Sequence, residues 1–148
     1  MPNNMQLSRV IRAPAERIYR AFLDQNILVK WNPPHGFVAR VDEFDPREGG
    51  RFRMSFINIS TGTEHSFGGS YLELVPNQRI RSTDSFDDPG LPGSMELLVE
   101  LQESPVGTVV QISQSGIPDE IPIEACHLGW QESLQLLALL VEAEIPDG

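Results

Sequence analysis

The chain holds a single cysteine, Cys126, so no disulfide can form within it. Oxidising export is not required, and a reduced, cytoplasmic setting is the simpler expectation. No apolar run approaches the roughly 20 residues that a membrane-spanning helix needs. The first ten residues, MPNNMQLSRV, lack the apolar core of a secretory signal. Cations are scarce: 11 Lys and Arg stand against 21 Asp and Glu, for a net charge of −10. Nucleic acid and anionic membrane surfaces both reward Lys and Arg, so neither is an expected partner, and membrane insertion is not expected. The acidity reads as a solubility device. Histidines number three, His35, His65 and His127, and none has a partner at metal-ligand spacing. Cys126 and His127 are adjacent, and adjacent residues on a helix point about 100° apart, a poor chelate. Nucleophile elbow, phosphate-binding glycine loop and HExxH helix are all missing. No metal, cofactor or catalytic residue is therefore expected.

What is present is a foldable chain. The 148 residues, 40% of them hydrophobic, suit one domain, 1–148, with a real core. Met5 to Arg12 reads as a strand. Pro14 then opens a helix whose apolar face is Ile18, Tyr19, Phe22 and Leu23. Asp24 is a good N-cap for a second short helix ending near Trp31, which Pro33-Pro34-His35-Gly36 stops. Strands follow over 37–44, 51–58, 65–75, 79–86, 94–103 and 107–114, joined by turns rich in Pro, Gly, Asn and Asp. Within 51–58, Phe52, Met54 and Phe56 point one way and Arg51, Arg53 and Ser55 the other. Gly68-Gly69 marks a bulge or a close approach. Everything from Ile117 reads as one long helix with a broad apolar face. Short-turn connections make the sheet antiparallel, and the helices need a sheet face to cover, so the class is α+β. If the sheet curves around the last helix, the space between them is the natural ligand site.

Several polar residues fall on that inner surface. Ile123, His127, Trp130, Leu134, Leu137 and Val141 form one helical stripe. His127 would there either orient a polar ligand group or hydrogen-bond a strand structurally, and the structural reading is preferred. Glu73 shares a face with Tyr71 by period two, and Asp84 shares one with Ser82 and Phe86. These carboxylates either pair with Arg53, Arg79 or Arg81 at a sheet edge or stand as polar points in a cavity. Gln114 is in phase with Val110 and Ile112, and Leu97 and Val99 extend the apolar row. Asp45 and Glu48, in the FDPREGG turn, read as turn-formers rather than catalytic carboxylates.

Six signatures occur in order: Arg12-Ala13-Pro14 before a helix; Trp31 followed by Pro and Gly; Phe44-Asp45-Pro46-Arg47-Glu48-Gly49-Gly50-Arg51-Phe52; Gly69-x-Tyr71-x-Glu73-x-x-Pro76; Gly107-Thr108 before a strand; and Gly129-Trp130-x-x-x-Leu134. Together they resemble the family related to the C-terminal domain of the activator of Hsp90 ATPase, within the START-like (SRPBCC) superfamily. The resemblance spans nearly the whole chain. It implies a helix-grip fold: a curved antiparallel sheet of about six to seven strands around a long C-terminal helix, with two short helices after the first strand. It also implies an internal cavity for an apolar or amphipathic small molecule, with some relatives acting as cyclases or hydrolases. The activator itself carries a further N-terminal domain, for which this chain has no room, so a chaperone partner ranks below ligand binding. The expected ligand-binding residues are Phe52, Met54, Phe56, Tyr71, Glu73, Asp84, Phe86, Leu97, Val99, Ile112, Gln114, His127, Trp130, Leu134 and Leu137. Ligand binding leads. An enzyme acting on such a ligand and a stress-related protein-interaction module are the rivals, and a homodimer is left open.

Overall fold

The computed structural model describes residues 3–143. Seven strands form one antiparallel sheet in the order β1-β7-β6-β5-β4-β3-β2. They are β1 (Met5–Ile11), β2 (Phe37–Phe44), β3 (Arg51–Asn58), β4 (Glu64–Val75), β5 (Arg79–Phe86), β6 (Met95–Ser104) and β7 (Gly107–Ser115). Helices α1 (Ala15–Leu23) and α2 (Gln25–Trp31) follow β1, and α3 (Ile123–Glu142) closes the chain. The curled sheet wraps the long C-terminal helix, as the order of elements predicts. From β2 to β7 every connection joins sheet neighbours through a turn, which is why the pairing is antiparallel throughout.

The local chemistry explains the boundaries. The Asp24 carboxylate accepts the Asn26 N–H at 2.9 Å and caps α2. Trp31 ends α2 wholly buried, its indole N–H donating to the Ala21 carbonyl at 3.0 Å. Its ring meets Phe22 edge-on at 4.6 Å between centroids, locking α1 to α2. The buried face of α1 is Ala15, Ile18, Ala21 and Phe22. Arg17 reaches across to the Val141 carbonyl near the C-terminal end of α3 at 2.8 Å, so α1 and α3 are also fastened.

One expectation needs correction, and two others resolve in detail. The long helix starts at Ile123, not Ile117, with Pro122 at its N-cap. Pro118 and Pro122 lack the N–H that a helix interior requires, so residues 117–122 run as an irregular approach. The expected helix also runs into residues 144–148, which lie outside the described residues. Ser55 points away from Phe52 and Met54 as expected, yet it is fully buried. Its hydroxyl bonds that of Ser66 at 2.7 Å, and the Arg40 side chain lies over it at 3.3 Å. Finally, the irregularity in β4 falls after Gly68-Gly69, between Tyr71 and Glu73.

The glycine pair is instead a close approach. A Cβ on Gly69 would lie 1.8 Å from the Thr83 carbonyl oxygen. Backbone cannot yield to such a contact, so Gly69→Ala is expected to separate β4 from β5 locally and cost upwards of about 3 kcal/mol. Thermal denaturation checks this; a wild-type midpoint would show that the two strands move apart freely.

The FDPREGG turn folds back onto β4 beside the bulge. Gly49 donates to the Tyr71 carbonyl at 2.8 Å, and Tyr71 donates to the Gly50 carbonyl at 2.9 Å. The Glu48 carboxylate accepts the Leu74 N–H at 3.1 Å. Asp45 holds the Arg47 guanidinium at 2.8 Å. Both carboxylates are thus occupied with turn geometry.

Candidate functional site

Between the inner face of the sheet and the N-terminal half of α3 lies a cavity of about 290 Å³. Its walls come from four parts of the chain. The strands supply Phe56, His65, Phe67, Asp84, Phe86, Met95 and Gln114. The loop after α2 adds Asn32 and Pro34, the approach to α3 adds Ile117 and Ile121, and α3 itself adds Ala125, Cys126, Gly129, Trp130 and Ser133. A second chamber of about 90 Å³ shares Asn32, Phe67, Asp84, Gln114 and Trp130 with the first and is otherwise walled by Phe22, Leu28, Phe52, Met54, Tyr71, Ile80, Ser82, Leu97 and Val99. The lining is mostly carbon, with a few convergent polar groups, the usual make-up of a small-molecule site.

Two of those polar groups come from period-two placement on β7 and β5, the strands on either side of β6. Gln114 projects inward from β7 and accepts the Trp130 indole N–H at 3.2 Å and the Cys126 thiol at 3.0 Å. Among the described residues its amide nitrogen has only the Met95 sulfur, at 3.6 Å. Burial pushes the Cys126 thiol up to about 11, which leaves it protonated and a poor nucleophile. Asp84 projects inward from β5, opposite Met95 of β6. Its side chain borders both chambers, so the residue keeps some exposure to their void. Its Oδ1, however, is shielded and has no hydrogen-bond partner among the described residues. Burial raises its carboxyl to about 7, and a backbone hydrogen bond from Ser85 opposes that only in part.

The alternatives for the two inner carboxylates resolve in opposite directions. Asp84 is a polar point in the cavity. Glu73 is not, and its placement needs correction. Tyr71 pairs with Ser82, but Glu73 pairs with Arg81, so three residues of β4 span two of β5. The extra residue, Leu72, inverts the alternation and sends Glu73 to the outer face, where it lies 3.5 Å from Arg79. Arg81 is likewise outward and holds Glu96 at 2.7 Å.

His127 is also displaced from the expected site. The α3 face toward the cavity is Cys126, Trp130 and Ser133, about a quarter-turn from the expected stripe at that end. His127 instead borders a separate depression beside Leu7, Ser8 and Arg9 of β1, together with Gln131 and Leu134. Ile112 and Leu137 are fully buried core and border neither chamber, and Leu134 is buried against the β1 side. The structure therefore brings together Phe56, Asp84, Phe86, Gln114 and Trp130 around the larger chamber and Phe52, Met54, Tyr71, Leu97 and Val99 around the smaller one.

Residues absent from the expectation include Phe67, Met95, Cys126 and Ser133. Cys126 and Ser133 lie four before and three after Trp130, so a helix phase centred on Trp130 would have found them. Asn32, Pro34, Ile117 and Ile121 sit on irregular segments with no period to read. Ser133 also ties α3 to the α2 exit, donating to the Asn32 carbonyl at 2.7 Å.

With this geometry in view, the likeness to known proteins is close. The family model for activator of Hsp90 ATPase homolog 1-like proteins matches residues 12–142. A crystal structure of a protein from Chromobacterium violaceum is 54% identical, with a TM-score of 0.95 over 96% of this chain and 99% of that one. A Rhodobacter sphaeroides protein, 17% identical, superposes with a TM-score of 0.84 over 94% of this chain and 91% of that one. The protein CalU16 from Micromonospora echinospora, 21% identical, superposes with a TM-score of 0.70 over 95% of this chain and 76% of its own. The last two likenesses speak to fold alone. No curated protein matches the chain. Among the described residues no helix is long and apolar enough to cross a membrane.

Proposed function

We propose that this chain, which belongs to the activator of Hsp90 ATPase homolog 1-like family, binds an apolar or amphipathic small molecule in the cavity between its sheet and α3. One observation carries the reading: a mostly apolar chamber of about 290 Å³ borders a buried carboxyl with an unpartnered oxygen. A solid core would not leave a chamber of that size, and an orphaned buried polar atom costs about 1–3 kcal/mol unless a ligand group meets it. The volume lies at the small end of the range for ligand sites, which favours a compact or short-chain molecule.

A second reading draws on the Asp84 carboxyl itself. A carboxyl at about 7 inside an apolar chamber is poised to exchange a proton near neutral pH, as a general acid–base must. Turnover would then depend on Asp84 while binding would not.

Gly129 offers a direct test of binding. It lines the chamber, and a Cβ built there meets nothing within 4 Å. Gly129→Phe is expected to fold, because the ring enters empty space and the helix gains by losing a glycine. It is expected to weaken a neutral probe such as N-phenyl-1-naphthylamine by at least tenfold in fluorescence titration. Native mass spectrometry of the protein from its own host should show a bound small molecule that the variant lacks. Probe affinity unchanged by Gly129→Phe would place binding elsewhere, and no saturable binding by the wild type would remove the ligand reading.

A further inference from the structure

We propose that the cavity discriminates by charge: it prefers ligands whose polar end is a hydrogen-bond-donating, cationic nitrogen, and it rejects carboxylate-headed ones. This rests on the ligand-binding reading and names the ligand class for the same site. The charge is one-sided, although the neutral Gln114 amide, whose nitrogen meets the Met95 sulfur at 3.6 Å, remains a donor at the wall. Among the described residues, no Lys or Arg borders either chamber. The one buried acid there, Asp84, has a shielded oxygen without a partner. Its terminal torsion is soft, so either carboxyl oxygen can turn to an incoming donor. The neighbouring acceptor, Gln114 Oε1, already takes two donors, from Trp130 and Cys126. A ligand carboxylate would meet no cation and would lie near a like charge, which is costly in an apolar chamber. A protonated amine would supply the missing partner and form a charge-assisted hydrogen bond.

The titratable groups around Asp84 leave it the main source of pH dependence. From β4, His65 stands exposed near the mouth and Tyr71 borders the inner chamber, its phenol raised by burial. From α3, Cys126 stays protonated to about 11. From β6 and β7 the facing residues are Met95 and Gln114, which do not titrate. The arginines of β5, Arg79 and Arg81, are on the outer face with their acidic partners.

Octylamine, octanol and octanoate, matched in chain length, test this by displacement of N-phenyl-1-naphthylamine between pH 6 and pH 8.5. Salt should be raised to about 0.5 M, because a net charge of −10 attracts any cation to the surface. Octylamine is expected to displace the probe at least tenfold more tightly than octanoate at pH 8. Its affinity is expected to rise roughly tenfold from pH 6 to pH 8 as Asp84 ionises, and octanol is expected to be flat. The rise should persist in His65→Gln and vanish in Asp84→Asn, which should also bring octylamine down to the octanol level. Octanoate binding as tightly as octylamine at pH 8 overturns the proposal, as does an Asp84→Asn variant that keeps the amine preference. If octanol displaces the probe and octylamine shows no advantage, only the charge inference falls. If neither displaces it, the ligand-binding reading falls as well.

Discussion

Replacing Trp31 by alanine is expected to remove about 3–5 kcal/mol of stability, the typical cost of truncating a fully buried tryptophan. Trp31 has no solvent exposure, packs edge-on against Phe22, and satisfies the Ala21 carbonyl with its indole N–H. Truncation opens a void where α1, α2 and the sheet meet, and it leaves that carbonyl without a donor. Domains of this size are stable by about 5–15 kcal/mol, so the loss is a large share of the total. In urea the unfolding midpoint should fall by roughly 2 M. Trp31→Phe keeps most of the volume and should lose less than half as much. Trp130→Ala gives the contrast. Trp130 is only half-buried and borders the cavity, so its truncation should cost less stability and more ligand affinity. A midpoint for Trp31→Ala within about 0.5 M of wild type would contradict the packing described.

The difference between the two tryptophans shows where reading the residues succeeds. Strand limits follow turn chemistry, and the Pro, Gly, Asn and Asp clusters place all seven strands to within a residue or so. Period two correctly orients Phe52, Met54 and Phe56 on β3, Ser82, Asp84 and Phe86 on β5, and Gln114 on β7. It fails for Glu73 because one extra residue, Leu72, inverts a face, and bulges carry no reliable local signal. It fails for His127 because α3 is apolar around much of its circumference: Leu128, Leu139 and Leu140 are exposed although leucine reads as core. A helix with so little polarity contrast does not disclose its phase, and packing on β1 decides it. A space between sheet and helix follows from the order of elements and from the family resemblance, but its size and walls are not legible in the residues. A filled core and a lined chamber call for the same residue types, and only tertiary geometry separates them.

Asp84 gives the second large effect, and here the expected variant is more stable than the parent. Unfolded, its carboxyl titrates near the ordinary 3.8; folded, burial holds it near 7. Between those values the folded protein keeps a proton that the unfolded chain has released. The Asp84 contribution is therefore most favourable below 3.8, falls as pH rises through the window, and is flat above about 7. At about 1.36 kcal/mol per pH unit, the accumulated loss approaches roughly 4 kcal/mol at pH 8. Asp84→Asn removes the ionisation and keeps the shape. It should match wild type at pH 4 and exceed it by up to that amount at pH 8. The remaining carboxylates titrate alike in both proteins and cancel in the difference, so paired urea titrations between pH 4 and pH 8.5 isolate the effect. A stability difference that does not change with pH would show that Asp84 is well solvated or paired when folded. A residue that destabilises its own fold at neutral pH has a physical rationale when a ligand supplies the compensation. Octylamine at pH 8 should accordingly raise the wild-type midpoint more than that of Asp84→Asn, narrowing the gap between them by the difference between their RT ln(1 + [L]/Kd) terms.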